Sequence, residues 1–303
     1  MREIMNMYPK ITVIMSTYNG QRYLRQQINS VLGQNYPNVE LIIRDDGSKD
    51  NTRLILEEYE KNERVSVIYG DNIGFCQSFC TTLGCNDDSE FYAFCDQDDI
   101  WYSDKLTSAF RCLRDKSPDI PQLYYCHVNE INENGDSIGI RKLSPGSVSF
   151  RRTMTGCFGE GMAMVINKKC RNLMLKMNPQ KMDAHDWAAS AVALGMGQVF
   201  VDNGIFADHR RLAESVSIVT LPKRILWFCS EIIGENNIRM RNKEYFRCFG
   251  DNLSIDNYRI AEAFGKDRLT IRTQLHKVFS LRCWRPNILS EISMRILMIL
   301  GKI

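Results

Sequence analysis

No Cys-x-x-Cys pair occurs among the 11 cysteines of this 303-residue chain. Cys76, Cys80 and Cys85 are loosely spaced and the others are scattered through apolar segments, so neither a zinc ribbon nor a disulfide framework is expected. An odd cysteine count and a polar start, residues 1–10, without the apolar core of a secretory leader fit a reducing, cytoplasmic setting. No run of about 18 apolar residues exists, so no transmembrane helix is expected. The longest candidate, residues 288–303, is interrupted by Glu291, Arg295 and Lys302. Internal repeats and low-complexity tracts are missing too. The first 220 residues hold no stripe of interleaved basic and aromatic side chains, which argues against nucleic acid as a partner.

What is present is an ordinary globular composition, 44% hydrophobic and 25% charged. The length suits one large domain, or one domain and a smaller C-terminal unit. The net charge of +3 conceals an asymmetry. From Pro222 onward there are 15 basic and 8 acidic residues, against 24 and 28 before it. A basic C-terminal third suits an anionic surface, or is simply a solvated charged face.

Residues 11–15 form a short β-rich run stopped by Ser16-Thr17-Tyr18-Asn19-Gly20. Leu24, Ile28, Val31 and Leu32 then fall on one helical face, closed by Gly33 and Pro37. Strands are expected at 39–43, 65–69 and 91–95. Asp50 or Asn51 should cap a helix carrying Ile55, Leu56 and Tyr59, and Ser103 one with Leu106, Ala109, Phe110 and Leu113 inward. Strand and helix alternate four times in about 115 residues, which implies βαβ units, an α/β fold and a mostly parallel sheet. Ligands of such sheets sit at the carboxyl ends of the strands. Those ends carry Thr17-Tyr18-Asn19, Asp45-Asp46, Asp71-Asn72 and Asp96 to Asp99. Beyond residue 120 the spacing predicts strands at 123–128, 162–166 and 199–202, a helix from near His185 to Gly195 or Gly197, and helices from 221 to the end.

Asp96-Gln97-Asp98-Asp99 is the sharpest local feature. Three carboxylates within four residues repel one another unless a cation is near, and oxygen ligands suit Mg²⁺ or Mn²⁺. The alternative is a helix N-terminus, where acids are favoured by the dipole.

Thr12-Val13-Ile14-Met15-Ser16-Thr17-Tyr18-Asn19-Gly20, Arg44-Asp45-Asp46-Gly47-Ser48-Lys49-Asp50 and Phe94-Cys95-Asp96-Gln97-Asp98-Asp99-Ile100-Trp101 together resemble glycosyltransferase family 2 in order and spacing. With His185-Asp186-Trp187 downstream, the chain is similar to the bacterial rhamnosyltransferase-like branch. The resemblance covers residues 10 to about 220. It implies a GT-A fold over residues 1–220, with a helical basic extension at 221–303. It also implies an inverting, metal-dependent transfer of a sugar from a nucleotide-diphosphate donor to a saccharide or lipid-linked acceptor. Thr17, Tyr18, Asn19, Asn72 and Gly74 would line the nucleotide, and Asp45 or Asp46 would accept the imide N–H of its base. Asp96 would lie by ribose and metal with Gln97 beside it. Asp98 and His209 would hold Mn²⁺ or Mg²⁺. Asp186 matches the family's base, and a helix dipole would keep it ionised; His185 and Trp187 would border the acceptor.

Two stretches depart from the pattern. Phe206-Ala207-Asp208-His209 stands where the family has Tyr-Arg-Gln-His, so Arg210 or Arg211 becomes a candidate phosphate contact. The glycine-rich residues 155–161 are longer than usual. In the C-terminal part, Ile288, Ile292, Ile296 and Ile299 share one helix face. Arg282, Arg285, Arg295, Lys302 and Trp284 are placed to meet a membrane, unless that face docks on the protein or a second copy. The donor favoured by the branch is dTDP-rhamnose, with UDP-galactose and UDP-N-acetylglucosamine as alternatives. A nucleotidyltransferase would need a glycine-rich basic loop after the first strand, which is lacking. A non-catalytic scaffold would not need Asp96, Asp98 and Asp186.

Overall fold

The computed structural model describes residues 8–143, 146–212, 236–266, 270–285 and 287–303, together with 226, 228, 229 and 233. In β1 (Ile11–Thr17) every residue but Ser16 is buried, the pattern of a strand covered on both faces. It is central: β2 (Val39–Asp45) pairs with it in parallel and carries β3 (Val65–Tyr69) beyond, while β4 (Phe91–Cys95) pairs in parallel on its other side. The connecting helices α1 (Leu24–Leu32), α2 (Thr52–Tyr59) and α3 (Phe75–Gly84) are followed by α4 (Lys105–Leu113) after β4. Leu24, Ile28 and Val31 of α1, and Leu106, Ala109, Phe110 and Leu113 of α4, face the core as expected.

The second half of the sheet is mixed. After β4 come β5 (Ile100–Trp101), β6 (Gln122–Ile131), β7 (Ser137–Arg141) and the short α5 (Phe150–Thr153). Then follow β8 (Met164–Asn167), α6 (Lys168–Met174), α7 (His185–Met196) and β9 (Gln198–Arg210). The strand order is β3-β2-β1-β4-β8-β6-β9-β5, with β7 on β6. β8 is antiparallel to both β4 and β6, whereas β9 runs parallel to β6.

Three local expectations fail. The last strand does not stop at residue 202. Asn203-Gly204 reads as a turn, but the register of β6 and β9 shifts after Cys126 and again after His127, and the strand continues. Ser103 does not cap α4: the preceding residue is Asp104, without a capping bond, and Ser103 offers its carbonyl to Asn35 N at 2.9 Å. Of the two proposed caps of α2, it is Asp50 whose carboxylate accepts from Thr52 N, at 3.0 Å.

The C-terminal helices are α8 (Asn237–Phe249), α9 (Ile255–Gly265), α10 (Ile271–Val278) and α11 (Ile288–Ile299); the expected helical start at 221 lies outside the described residues. They pack against α5 and α7. Tyr245 Oη donates to Ala191 O at 3.1 Å, Asn242 Nδ2 to Met154 O at 2.7 Å, and Arg241 pairs with Asp183 at 2.6 Å. Trp284 is not a membrane anchor: it is buried, with its indole N–H on Lys277 O at 3.0 Å and the Arg151 guanidinium 3.3 Å from its ring centre. Nor are Arg285 and Arg295 available to headgroups. Arg285 donates to Thr155 O, and Arg295 binds Glu291, Val278 O and Ser280 O. Among the described residues no helix is long and apolar enough to cross a membrane.

Because these bonds tie α8–α11 to the sheet-bearing part, unfolding should be one transition. Trp284→Ala should cost about 3–5 kcal/mol. Denaturant unfolding followed separately by far-UV circular dichroism and tryptophan fluorescence should show both probes moving together to a lower midpoint.

Candidate active site

The carboxyl ends of β2, β1 and β4 lie side by side, so Asp45 sits opposite Thr17 and Met15 opposite Cys95. The loops leaving them face one cleft. The Gln97 side chain fastens two of these loops: its Oε1 accepts from Thr17 Oγ1 at 2.6 Å and Tyr18 N at 2.9 Å, and its Nε2 donates to Tyr18 O at 3.2 Å. A Cβ at Gly20 would collide with Gln97 Oε1, so only glycine lets the loop approach this closely. Gln97 and Thr17 are therefore loop-holding residues, with their polar atoms already engaged.

The two aspartates at the end of β2 differ from the expectation in the same way. Both are buried, Asp45 at 0% and Asp46 at 2% exposure. Asp45 accepts from Ser48 N at 3.1 Å and Arg53 Nε at 2.8 Å. Asp46 pairs with Arg44 and accepts from Ile73 N at 3.1 Å and Gly74 N at 3.0 Å. Their lone pairs hold the loops of the pocket together, so neither carboxylate is open to an incoming imide. Asn19, with φ +50, donates its N–H to Ser48 Oγ and accepts from Lys49 N, both at 2.9 Å. Asn72 is exposed and accepts from Gly74 N at 3.2 Å. What this end of the cleft offers outward is apolar surface: Tyr18, Tyr69, Ile73 and Phe75 are all exposed.

The acidic loop forms the floor. β5 pairs with β9 through Ile100 and Asp208, which brings the end of β9 alongside Asp98 and Asp99. Arg210 N donates to Asp99 Oδ1 at 2.9 Å. The Arg210 side chain is turned inward, bonding the carbonyls of Asp98 (2.9 Å), Asn132 (3.1 Å) and Glu133 (3.2 Å) and stacking on Tyr23. Arg210 is thus a brace of the loop rather than a phosphate ligand, and Arg211 lies 3.6 Å from Glu130. His209 is buried, its Nδ1 without a partner, and burial holds its pKa down.

Across the cleft, α7 begins at His185. Asp186 Oδ1 accepts from Trp187 N at 2.6 Å. Helix-dipole reasoning expects a depressed pKa here; instead burial pushes Asp186 up to about 7, with Glu160 adding to the rise. His185 and Trp187 do not border an open acceptor site. His185 stacks on Phe79 at 3.9 Å, and burial pushes its pKa down to about 3. Trp187 is fully buried, its indole N–H on Thr153 O at 2.7 Å. Glu160 is a cleft residue that sequence reasoning left unassigned. It pairs with Arg141 at 2.5 Å, accepts from Tyr125 Oη at 3.1 Å, and acts on Asp96, Asp186 and His209. Its only sequence signal is an acid between two glycines.

Asp96 is pushed up to about 7 by burial first and then by Asp98 and Asp186. Asp98 and Asp99 are also raised, both chiefly by burial. Among the described residues no three His, Cys, Asp or Glu side chains converge as a ready metal cage. Asp99 Oδ2 and His209 Nδ1 are buried without a partner. Oxygen-rich, mutually repelling side chains of this kind fit a hard divalent cation held by few protein ligands, the remainder coming from a substrate.

The sequence model of glycosyl transferase family 2 matches residues 12–163, half of the chain and all three loops of the cleft. The chain belongs to glycosyl transferase family 2. A protein of Rickettsia felis named an uncharacterized glycosyltransferase is 32% identical over 263 residues, covering 80% of this chain and 42% of that protein. One of Nostoc sp., also named an uncharacterized glycosyltransferase, is 39% identical over 80% of this chain and 66% of its own length. The chain thus spans less than half of the Rickettsia protein. The Bacillus subtilis protein TuaG, provisionally named a teichuronic acid biosynthesis glycosyltransferase, is 38% identical over 37% of this chain and 45% of its own. Among solved structures, S. aureus TarS 1–349 in complex with UDP-GlcNAc superposes with a TM-score of 0.57 at 14% identity. That match covers 97% of this chain and 89% of TarS 1–349. The mannosyltransferase PcManGT of Pyrobaculum calidifontis, in complex with GDP-Man and Mn²⁺, gives 0.53 at 14% identity over 97% of this chain and 74% of its own. These likenesses fix the fold as GT-A, as the sequence reading expected.

In this family 2 chain, folding raises Asp96 and Asp186 from 3.8 to about 7. Between those values the native state binds more protons than the unfolded chain, so stability falls as pH rises through that window. Glu244, lowered to about 2, acts mainly below this window, whereas His185, lowered from 6.5 to about 3, works the opposite way within it, one imidazole offsetting part of the effect of two carboxylates. Metal-free protein should therefore melt higher at about pH 5 than at about pH 8. Asp98→Asn should raise the melting temperature at the higher pH by ~2–4 °C, read by differential scanning calorimetry.

Proposed function

We propose that the chain is an inverting glycosyltransferase moving a sugar from a nucleoside diphosphate to a hydroxyl of a saccharide or lipid-linked acceptor. The observation that carries this reading is Asp186. It is a carboxylate with a pKa of about 7 at the start of α7, electrostatically coupled to the acidic loop. A general base acts best when its pKa lies near the working pH.

The residues divide the work as follows. Tyr18, Tyr69, Ile73 and Phe75 supply apolar surface for the nucleobase, on a pocket shaped by Thr17, Asn19, Asp45, Asp46, Asn72, Gly74 and Gln97. Asp98, with Asp96 behind it and His209 at the end of β9, would hold Mn²⁺ or Mg²⁺, which supplies positive charge against the leaving diphosphate. The acceptor oxygen attacks the anomeric carbon from the face opposite the diphosphate. The bond from that carbon to the diphosphate oxygen breaks, and the acceptor's proton passes to Asp186. Glu160, fixed by Arg141 and Tyr125, keeps negative potential on Asp186 and so favours its proton-accepting role.

The nucleotide sugars in TarS and PcManGT, and the Mn²⁺ in the latter, support the donor class and the metal. The name of TuaG supports a role in surface polysaccharide synthesis. The Asp-Gln-Asp-Asp-Ile-Trp and His-Asp-Trp motifs favour dTDP-rhamnose as the donor.

Purified protein with Mn²⁺ or Mg²⁺ and a panel of dTDP-, UDP- and GDP-sugars should release one nucleotide, and Asp98→Ala should abolish that release. Release from UDP-galactose or UDP-N-acetylglucosamine instead would replace rhamnose; no binding to any donor would favour a scaffold. Asp186→Asn should lower kcat roughly 10²–10⁴-fold with little change in donor affinity. In the parent protein, kcat should rise with pH and level off above about 7, because the base must be ionised.

A further inference from the structure

Arg53 stands at the nucleotide end of the cleft with most of its hydrogen-bonding capacity unused. It is the second residue of α2, and its Nε donates to Asp45 at 2.8 Å. The Asp45 side chain is fully enclosed, whereas that of Arg53 is 48% exposed, so the guanidinium is the outer member of the pair. A guanidinium carries five N–H donors and no acceptor. The pair with Asp45 uses one of them, and among the described residues the Arg53 side chain makes no other hydrogen bond or ion pair. Glu57 and Glu60 act on the neighbouring Tyr69 but do not pair with Arg53. Nη1 and Nη2 are left as a donor fork, anchored through Nε by a buried carboxylate.

The fork lies beside the surface assigned to the nucleobase. Thr17, Asp45 and Tyr69 are register partners in one row across the sheet, and Arg53 Cζ is 5.7 Å from the centre of the Tyr69 ring. Tyr69 and Tyr18, the residue after Thr17, are each 41% exposed. Two aromatic side chains and a set of free N–H groups therefore share one end of the cleft. The polarity of that end is reversed as a result. An open Asp45 carboxylate would accept from a base and so select an imide N–H. Here the carboxylate is taken by Ser48 N and Arg53, and the group facing outward only donates. It matches a base edge that offers a carbonyl oxygen. An edge that offers an amino group sets donor against donor and leaves both unpaired. Uracil and thymine carry oxygen at C4, where cytosine carries an amino group.

Resting on the nucleotide-sugar reading above, we infer that Arg53 selects the donor's base by donating to a carbonyl oxygen of uracil or thymine, the role that the occupied Asp45 does not fill. The test is isothermal titration calorimetry of the full chain with Mn²⁺, comparing UDP with CDP and dTDP with dCDP. The N3-methyl derivative of the tighter binder is titrated as well. The parent protein should bind UDP or dTDP roughly tenfold better than its cytosine counterpart. N3-methylation should change that affinity by less than about threefold, since the imide N–H is not used. Arg53→Lys keeps a cation beside Asp45 but removes the fork. It should bind the oxo and amino bases alike, with a melting temperature close to the parent's. The inference is overturned if folded Arg53→Lys keeps the parent's preference, or if the parent binds the cytosine nucleotides equally well. It is also overturned if N3-methylation abolishes binding, because the imide is then the contact. The N3-methyl comparison uses the parent protein alone and decides the matter even where the variant unfolds. Failure of every nucleotide to bind would overturn the donor reading too, whereas unselective binding overturns the role of Arg53 alone.

Discussion

The rest of this molecule depends on a group of carboxylates buried at one end of the sheet. Burial holds Asp96, Asp98, Asp99 and Asp186 above the ordinary carboxylate range, and neighbouring carboxylates add to the rise at Asp96, Asp99 and Asp186, Glu160 at two of them. Two like charges about 4 Å apart repel by roughly 1 kcal/mol in water and about 4 kcal/mol near a protein surface. The fold counters this from beneath. Lys105 is fully buried, its ammonium 2.6 Å from Met162 O and 3.5 Å from the centre of the Trp101 ring, and its charge lowers the pKa of Asp96 and Asp99. Arg210 braces the same loop through backbone oxygens. Both cations bond carbonyls rather than the carboxylates, so neither forms a direct ion pair with Asp96 or Asp98. A loop neutralised by direct ion pairs would be more stable and could bind no cation.

The same logic separates the two ends of the cleft. At the nucleotide end, polar groups are satisfied internally: Gln97 by the β1 loop, Asp46 by Arg44, Ile73 N and Gly74 N, and Asp45 by Ser48 N and Arg53. Loops held by such bonds before a ligand arrives lower the ordering cost of binding. At the catalytic end, Asp99 Oδ2 and His209 Nδ1 are buried without a partner among the described residues. Stability is concentrated where shape matters, and electrostatic tension where charge must develop.

The sequence made the first half of the fold legible because there the local signals agree: apolar strands, helical periodicity and polar loops alternate in register. It placed Asp96, Asp98 and Asp186 near one another through strand-end reasoning and motif order. It misjudged the neighbours of those residues because motif letters do not reveal hydrogen-bond partners. Gln97, Asp45 and Asp46 look like ligand-binding groups, but their atoms are already engaged. His185 and Trp187 look like an acceptor wall, but they point into the core beneath α7. The pKa of Asp186 was mispredicted for a related reason. A helix terminus is visible in sequence, whereas the burial that outweighs its dipole is a tertiary property. β5, β7 and the far half of β9 were missed because a two-residue strand, an exposed hairpin strand and a bulge at Asn203-Gly204 carry no clear periodicity.

The C-terminal helices are joined to the catalytic end by more than packing. Thr155 Oγ1 donates to Trp284 O at 3.0 Å, and Arg285 reaches back to Thr155 O. Thr155 opens the glycine-rich stretch that leads to Glu160 and Gly161. Gly161 in turn lies against His185, where an added Cβ would come within 2.5 Å of Nε2. The C-terminal segment bearing Trp284 and Arg285, the loop bearing Glu160 and the helix start bearing Asp186 therefore form one continuous set of contacts. The nucleotide pocket is not part of this set of contacts, being fastened separately by Gln97 and Asp46.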